Sequence, residues 1–374
     1  MLAKTPPMGW NSWNTFGVEI NDKIIRETAD AMVDLGYLDV GYNYLVIDDC
    51  WSEMQRDAQG RLVADRNKFP EGMKATADYV HEKGLKFGMY SCAGVRTCAG
   101  YPSSYGHEFE DARQFASWGV DFLKYDFCNF PSSGNGKNAY YTMSLALKAT
   151  NREILFSPCQ WGTDTPGRWM KSVGAHMYRS TGDIVDNFES FKNIAVSQIP
   201  DLCESSQGCF NDMDMLIVGM YGKGHVGLEG CNDEEYKTHF ALWCLFGSPL
   251  IMGGDIRHLS ETSRLLLQNK ELLAINQDEE CRPPQLVCDQ MNQYSFVKHM
   301  SNNEFILAYF NFNDKESEVQ LTFTIAGLPY YSGFGFEMVD IFTHEEIGIK
   351  YDYYNPVLPP HGCKLYRARL KRYE

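Results

Sequence analysis

The stretch YNYLVIDD, residues 42–49, decides the fold, because a nearly continuous apolar run ends there in two aspartates. Such a run is typical of a parallel strand that is covered on both faces by helices. Similar short strands recur on either side of it, separated by gaps of helix length, and together they predict a closed (β/α)8 TIM barrel. We expect the strands at 8–13, 42–49, 85–92, 120–127, 153–161, 176–183, 212–219 and 248–256.

The gaps between these strands carry amphipathic helix patterns. In the first gap Asn21 is a suitable N-cap, and Ile25, Thr28, Met32 and Leu35 follow at the spacing of a single helical stripe. The pattern therefore predicts a helix that packs one face against the barrel.

The pattern changes near residue 280, where the helix signals stop. Apolar alternation at hairpin spacing then predicts antiparallel strands at 293–300, 304–312, 317–326 and 364–370. We therefore expect two domains, a (β/α)8 barrel over residues 1–280 and an antiparallel β-sandwich over residues 281–374.

The composition limits the partners and the cellular location. A net charge of −15 disfavours nucleic acids and anionic membranes as partners, because both are negatively charged and bind surfaces rich in Lys and Arg. No apolar run approaches the roughly 20 residues of a membrane span, and the first residues lack the plan of a signal peptide. The 12 cysteines form no close metal-binding pair, so we expect mostly free thiols, a cytoplasmic enzyme and neither metal nor cofactor.

Polar and aromatic side chains collect where the predicted strands end. In a barrel of this kind the carboxyl ends of the strands form the active site. Clustered carboxylates repel one another and are costly to bury, so a purely structural rim would not gather them. They fit either a divalent-metal site or glycoside hydrolysis, and the nearby indoles favour a sugar, whose C–H face packs on a ring. The candidates are Trp10, Asp48, Asp49, Lys124, Asp126, Gln160, Trp161, Arg179, Asp183 and Asp214.

Several long motifs resemble glycoside hydrolase family 27, the family of α-galactosidases and α-N-acetylgalactosaminidases. They include IDDCW at 47–51, FASWGVDFLKYDFCN at 115–129, RSTGDI at 179–184 and NDMDMLIVG at 211–219. The resemblance runs in order along nearly the whole chain. It implies a (β/α)8 barrel followed by an antiparallel β-sandwich, as the strand pattern also predicts.

The resemblance implies a retaining double displacement at a terminal α-linked galactose. Asp126 would be the nucleophile and Asp183 the acid and then the base. Lys124 and Arg179 would lower the pKa of Asp126 and keep it ionised.

The resemblance also implies further residues of a sugar pocket. Positions that match the family's pocket are Trp10, Asp48, Asp49, Tyr90, Cys98, Lys124, Cys159, Arg179, Asp214 and Met215. Cys98 and Cys128 match a family disulfide, which a reducing cytosol would disfavour.

Three departures from the family pattern bear on the substrate. Gln160 replaces a Glu that reads the 2-hydroxyl, although the bulky Trp161 beside it still favours galactose over N-acetylgalactosamine. Cys92 replaces a common Asp, and Val18 replaces the usual cysteine partner of Cys50. An α-N-acetylgalactosaminidase or a β-L-arabinopyranosidase therefore stays open as an alternative on the same scaffold.

Other interpretations compete with these assignments. The barrel could be a non-catalytic sugar-binding protein or a metal-dependent lyase, and Gln160 could serve only to orient Arg179. Trp13 favours core packing over a role in the pocket. The glycine-rich segment 222–230 lacks the spacing of a phosphate-binding loop, so we interpret it as a mobile rim or a subunit contact, and a homo-oligomer is possible.

Overall fold

The N-terminal domain is a parallel barrel built from short, buried strands, as the apolar runs predict. The computed structural model describes residues 2–372. The barrel strands are β1 (Met8–Asn11), β2 (Tyr44–Val46), β3 (Lys86–Cys92), β4 (Phe122–Asp126), β5 (Leu155–Pro158), β6 (Met177–Arg179), β7 (Phe210–Asp212) and β8 (Leu250–Met252).

Hydrogen bonding arranges these strands in a curved sheet. One run has the order β5-β4-β3-β2-β1-β8, and β6 pairs with β7. Parallel bridges from Cys159 to Arg179 and from Leu216 to Met252 join the two runs and close the barrel. The carboxyl ends of all these strands therefore point to one rim.

Helices cover the outside of the barrel. The Asn21 side chain accepts a hydrogen bond from the Ile24 amide and caps α2, whose buried face includes Ile25, Thr28 and Met32, so this part of the prediction is confirmed. The helices are α1 (Trp13–Phe16), α2 (Asp22–Asp34), α3 (Gly72–Glu82), α4 (Glu108–Trp118), α5 (Gly136–Lys148), α6 (Phe188–Gln198), α7 (Asp233–Phe246), α8 (Glu261–Leu267) and α9 (Lys270–Asn276). Within residues 2–372, no helix combines the length and apolarity that a bilayer crossing requires.

The seventh strand lies earlier than predicted. The apolar run predicts it at 212–219, but β7 ends at Asp212, whose carboxylate accepts a hydrogen bond from the Asp214 amide and starts a turn. Asp214 then adopts a left-handed backbone with φ of 88°. The apolar residues that follow are buried against the barrel end, and only Leu216 bridges to β8.

The C-terminal domain is an antiparallel β-sandwich. Its strands are β9 (Gln285–Gln290), β10 (Gln293–His299), β11 (Phe305–Asn311), β12 (Ser317–Glu318), β13 (Phe334–Asp340), β14 (Glu346–Lys350), β15 (Val357–Leu358) and β16 (Cys363–Arg372). The main sheet has the order β14-β13-β16-β11-β10-β9, and β12 pairs with β15 in a smaller sheet. The predicted strand at 317–326 is wrong beyond Glu318, although Val319, Leu321 and Phe323 are buried at the predicted alternation.

Candidate active site

A cavity of about 320 Å³ opens at the carboxyl ends of the barrel strands. Its volume lies at the lower end of the range for small-molecule sites. Twelve of the fourteen predicted site residues line it, which are Asp48, Asp49, Tyr90, Cys98, Lys124, Asp126, Cys159, Trp161, Arg179, Asp183, Asp214 and Met215. The remaining lining residues are Trp13, Asn14, Ile184, Val185, His225 and Val226.

Asp48 and Lys124 form a buried ion pair on one wall of this cavity. Lys124 Nζ lies 2.8 Å from Asp48 Oδ2, which also accepts a hydrogen bond from Asn11. Burial opposes the charge of Lys124, but Asp48 and Asp126 together raise its pKa above the ordinary value. The wall therefore presents a fixed cation and a fixed anion to a bound hydroxyl group.

Asp49, the next residue along, is held by backbone amides. Its carboxylate accepts hydrogen bonds from the amides of Cys50 and Ala99, at 2.7 and 2.9 Å. Burial still raises its pKa above the usual range. Adjacent residues of a strand end point in different directions, yet both Asp48 and Asp49 line the cavity.

Asp126 ends β4 and is nearly inaccessible to solvent, at 5% exposure. Its Oδ1 accepts a hydrogen bond from the Phe127 amide, and its Oδ2 accepts one from the Tyr90 hydroxyl at 3.1 Å. Burial raises the pKa of Asp126, and this effect exceeds the opposing effects of Lys124 and Arg179. The expectation of a lowered pKa is therefore wrong, because desolvation of the carboxylate outweighs both cations.

Asp183 lies at the mouth of the same cavity, and its side chain is 75% exposed. Arg179 Nη2 bridges it to Asp214, at 2.8 Å from an oxygen of each. Asp214 also accepts hydrogen bonds from the amides of Ile184 and Met215, and burial raises its pKa to about 6. Asp214 and Arg179 thus fix the segment that carries Asp183.

Cys98 and Cys128 form a disulfide at the edge of the cavity. The Cys98 sulfur lies 3.5 Å from Asp126 Oδ2 and 3.4 Å from the Tyr90 hydroxyl. The disulfide that the resemblance implies is thus present, although a reducing cytosol would disfavour it. Cys50 is a buried free thiol, as the substitution at Val18 implies.

Trp10 and Gln160 lie behind the cavity wall, which corrects two of the predicted positions. The Trp10 ring is fully buried, and its Nε1 donates to the Gly254 carbonyl. Gln160 is also fully buried and donates to Asp164, because β5 ends at Pro158 and the chain turns so that Cys159 and Trp161 face the cavity instead. Within residues 2–372, Gln160 Oε1 and Arg179 Nε are both buried without a hydrogen-bond partner.

Sequence reasoning missed six lining residues. The sequence favours core packing for Trp13, but β1 ends at Asn11 and the next turn carries the indole to the cavity. Ile184 and Val185 directly follow Asp183, so their place in the chain could have indicated them. His225 and Val226 belong to the glycine-rich segment, whose sequence carries no signal for a pocket.

The charged side chains of this cavity suit acid–base and nucleophilic chemistry on a polar, uncharged ligand. Each cation is paired with a carboxylate, so little positive charge is free for a phosphate. Among residues 2–372, the trio Cys98, Asp126 and Cys128 has the spacing of metal ligands, but its two sulfurs are bonded to each other.

Comparisons with known proteins agree with this chemistry over almost the whole chain. The profile described as Alpha galactosidase A matches residues 5–278, and that described as Alpha galactosidase C-terminal beta sandwich domain matches residues 293–368. The α-galactosidase of Cyamopsis tetragonoloba is 41% identical over 98% of this chain and 86% of its own length. Alpha-galactosidase A of Cellvibrio japonicus is 44% identical over 83% of this chain and 76% of its own.

Solved structures show the same architecture. The crystal structure of α-galactosidase I from Mortierella vinacea is 33% identical, covers 100% of this chain and 99% of that one, and has a TM-score of 0.93. The barrel, the terminal sandwich and the carboxylate-lined cavity therefore define a glycosidase. The chain belongs to glycoside hydrolase family 27.

Proposed function

We propose that this enzyme is a retaining α-galactosidase, which releases terminal α-linked galactose from oligosaccharides or glycoconjugates. The observation that carries the proposal is the placement of two carboxylates in one small cavity, Asp126 deep inside and Asp183 at the mouth. The names of the similar proteins support galactose as the released sugar. A retaining mechanism requires two carboxyl groups about 5–5.5 Å apart.

In the first step of the proposed mechanism, an Asp126 oxygen attacks the anomeric carbon. The bond from that carbon to the leaving oxygen breaks, and Asp183 gives its proton to this oxygen. The products are a galactosyl ester of Asp126 and a free alcohol. In the second step Asp183 takes a proton from water, whose oxygen attacks the same carbon and releases Asp126 as a carboxylate. Two inversions leave the sugar with its original anomeric configuration.

The exposure of the two carboxylates supports this division of roles. A nucleophile must face the sugar and is best shielded from water, as Asp126 is. The acid and base must meet both the leaving group and the incoming water, which requires an accessible carboxyl group such as Asp183.

The Asp48–Lys124 pair is the proposed reader of the galactose hydroxyls. Its carboxylate accepts from a hydroxyl and its ammonium donates to one, so two neighbouring oxygens are fixed together. The family resemblance assigns this pair to the 4- and 6-hydroxyls, and the axial 4-hydroxyl is what distinguishes galactose from glucose. On that assignment the pair supports galactose over glucose.

The substitutions at Gln160 and Cys92 favour no second substrate. Gln160 lies behind the wall, and Cys92 is fully buried with its thiol 3.2 Å from the Cys128 carbonyl. Trp161 lines the cavity, and its bulk favours galactose over the larger N-acetylgalactosamine. These contacts support plain galactose as the preferred sugar.

A panel of nitrophenyl glycosides in excess EDTA tests the proposal. We expect rapid turnover of the α-galactoside and turnover at least about 100-fold slower for α-N-acetylgalactosaminide and β-L-arabinopyranoside, the discrimination of a mispaired polar site. Proton NMR should show α-galactose as the first product. Loss of turnover in EDTA, a preference for another sugar or β-galactose as the first product would each contradict the proposal.

A further inference from the structure

Asn11, the last residue of β1, is buried behind the cavity wall and contacts two residues that line the cavity. Its Nδ2 donates a hydrogen bond to Asp48 Oδ2 at 2.8 Å, and its Oδ1 accepts one from the Trp13 amide at 2.9 Å. These partners determine which way the carboxamide points, because a carboxylate only accepts and a backbone N–H only donates. Asn11 therefore links Asp48 to the turn that carries the Trp13 indole.

The parallel pairing of β1 with β2 brings Asn11 beside Asp48. Asn11 pairs with Val46, the last residue of β2, and Asp48 follows two residues later. The next residue, Ser12, donates from its amide to the Val46 carbonyl at 3.2 Å. The Ser12 hydroxyl oxygen accepts a hydrogen bond from the Asp48 amide at 3.0 Å. The end of β1 thus holds the backbone of Asp48 through Ser12 and its carboxylate through Asn11.

The hydrogen bonds to Asp48 leave little of its carboxylate free. Its Oδ2 accepts from Asn11 and from Lys124, and its Oδ1 accepts from the Asp49 amide at 2.9 Å. A carboxylate offers about four acceptor positions, and these three donors use three of them within residues 2–372. About one position therefore remains for a hydroxyl of a bound sugar.

Of the two side chains that donate to Asp48, Asn11 is the more rigid. Lys124 carries a rotatable ammonium group on a flexible stem, and it also interacts electrostatically with Asp126. The carboxamide of Asn11 is planar and is held at both ends, by Asp48 and by the Trp13 amide. The last torsion of an aspartate side chain is soft, so a carboxylate turns easily unless a directional donor fixes it. Asn11 supplies that donor.

We propose that Asn11 is a positioning residue, which fixes the Asp48 carboxylate so that its remaining acceptor position faces one hydroxyl of galactose. Asn11 acts through Asp48 and touches no substrate itself. The inference rests on the proposed function, in which the Asp48–Lys124 pair reads the galactose hydroxyls. It deepens that function by assigning part of the sugar discrimination to a residue outside the cavity.

The test compares nitrophenyl α-galactoside with its 4-deoxy and 6-deoxy analogues, since the family resemblance assigns the pair to these two hydroxyls. The variants are Asn11→Leu, which keeps a branched side chain, and Asn11→Ala. The penalty for each analogue is kcat/KM on the galactoside divided by kcat/KM on the analogue. In both variants, the penalty for the hydroxyl that Asp48 accepts should fall about tenfold, the effect of one hydrogen bond to a charged group.

Two further measurements on the same variants separate positioning from general damage. The inhibition constant of free galactose should rise about tenfold in Asn11→Leu, because the lost contact belongs to the bound galactosyl group. The kcat on nitrophenyl α-galactoside should stay within about threefold of the wild type, since this contact is present in both the ground state and the transition state.

Two control variants address the other contacts of a buried asparagine. Asn276→Leu removes a buried asparagine that donates to the Ser248 carbonyl, so it should lower thermal stability and leave both penalties unchanged. Trp13→Ala removes the indole that follows Asn11, and it should lower kcat/KM on all three substrates alike.

The possible outcomes distinguish this proposal from the proposed function. The role of Asn11 is overturned if both penalties stay unchanged in Asn11→Leu and Asn11→Ala, or if Trp13→Ala reproduces the fall. A wild-type enzyme that cleaves the α-galactoside but shows no penalty for either analogue would also overturn it, and the proposed galactosidase activity would stand. If the wild-type enzyme cleaves no α-galactoside, the proposed function fails and the role of Asn11 fails with it.

Discussion

At the scale of the residue, the two proposed working carboxylates have opposite surroundings. Asp126 is buried between the Phe127 amide and the Tyr90 hydroxyl, whereas Asp183 is exposed and touches Arg179. A nucleophile is best shielded from water, whereas an acid and base must reach both the leaving group and the incoming water, so these surroundings suit the two roles. Two predictions follow from these surroundings.

Asp183→Ala should reduce activity more on natural linkages than on nitrophenyl α-galactoside. A nitrophenolate leaves without a proton, so the first step no longer needs the acid. We expect a loss of about 10³-fold on melibiose and a clearly smaller loss on the aryl glycoside, measured as kcat/KM. Asp201→Ala removes an exposed carboxylate outside the cavity and serves as the control. Equal losses on both substrates would contradict the acid role.

Lys124→Met should move the acidic limb of the kcat/KM profile to higher pH. Burial raises the pKa of Asp126, and Lys124 is the main group that lowers it, so its removal raises this pKa further. Asp126 must be ionised to attack, and activity therefore rises only as the pH passes its pKa. The readout is the position of the limb, since the variant also weakens substrate binding. An unchanged limb, or one at lower pH, would show that another group controls it.

The sequence predicts most of the residues that line the cavity, but not all of them. Motifs located the aspartates at the strand ends, because a barrel brings those ends together whatever the details of the loops. The sequence predicts Trp10 in the pocket and Trp13 in the core, but the structure has the opposite, because β1 ends two residues earlier than predicted. A shift of the strand end changes which side chain faces the cavity, and local pattern does not fix strand ends to a single residue.

At the scale of the element, the same limit explains β7. The run DMDMLIVG has the apolar content of a buried strand, and residues 213–218 within it are indeed buried. The hydrogen bond from the Asp214 amide to Asp212 starts a turn that ends the ladder early. Apolar content thus predicted burial correctly, while side-chain capping of the backbone decided where the strand stops.

Helix α7 begins with a capping box, which gives a prediction for the stability of this helix. The Asn232 side chain accepts from the Glu235 amide, and Glu235 accepts in return from the Asn232 amide. Asn232→Ala should lower the free energy of unfolding by about 1 kcal/mol in urea denaturation. Asn138→Ala, at an exposed position within α5, is the matched control. A cost no larger than that of the control would mean that the capping box contributes little.

At the scale of the whole molecule, α7 joins the barrel to the sandwich. Glu235 contacts His361 Nδ1 at 2.7 Å, and the His361 ring stacks on Phe188 with centroids 3.6 Å apart. Thr238 on the same helix donates to the His361 carbonyl. The sandwich domain therefore contacts α7 of the barrel directly, through His361.

A second prediction for the stability of the whole molecule concerns Lys298, a lysine buried in the sandwich domain. Lys298 on β10 is 2% exposed and donates to the Leu245 carbonyl, and burial lowers its pKa to about 8. Because its folded pKa lies below the unfolded value, the penalty is fully present below pH 8 and fades as the pH rises towards the unfolded pKa. Lys298→Met should raise the free energy of unfolding at pH 7 by about 2 kcal/mol.

The pH dependence provides the control for this prediction. The difference in the free energy of unfolding between Lys298→Met and the wild type should shrink between pH 7 and pH 10. Over this range the wild-type lysine becomes neutral in the folded protein, and its burial then costs less. Lys270→Met, at an exposed lysine, should show no such trend. A Lys298→Met variant that is less stable than the wild type at pH 7 would mean that the lysine contacts outweigh the cost of its burial.

Trapping the covalent intermediate tests most directly whether Asp126 attacks galactose. A 5-fluoro-α-galactosyl fluoride forms the glycosyl-enzyme quickly, and water hydrolyses this intermediate only slowly. The sugar therefore stays attached long enough for mass spectrometry of peptides. We predict one added fluorogalactosyl group, located on Asp126, and no label in Asp126→Ala. A label on Asp183 or another residue, or turnover of the reagent with no covalent adduct at any time, would contradict the account.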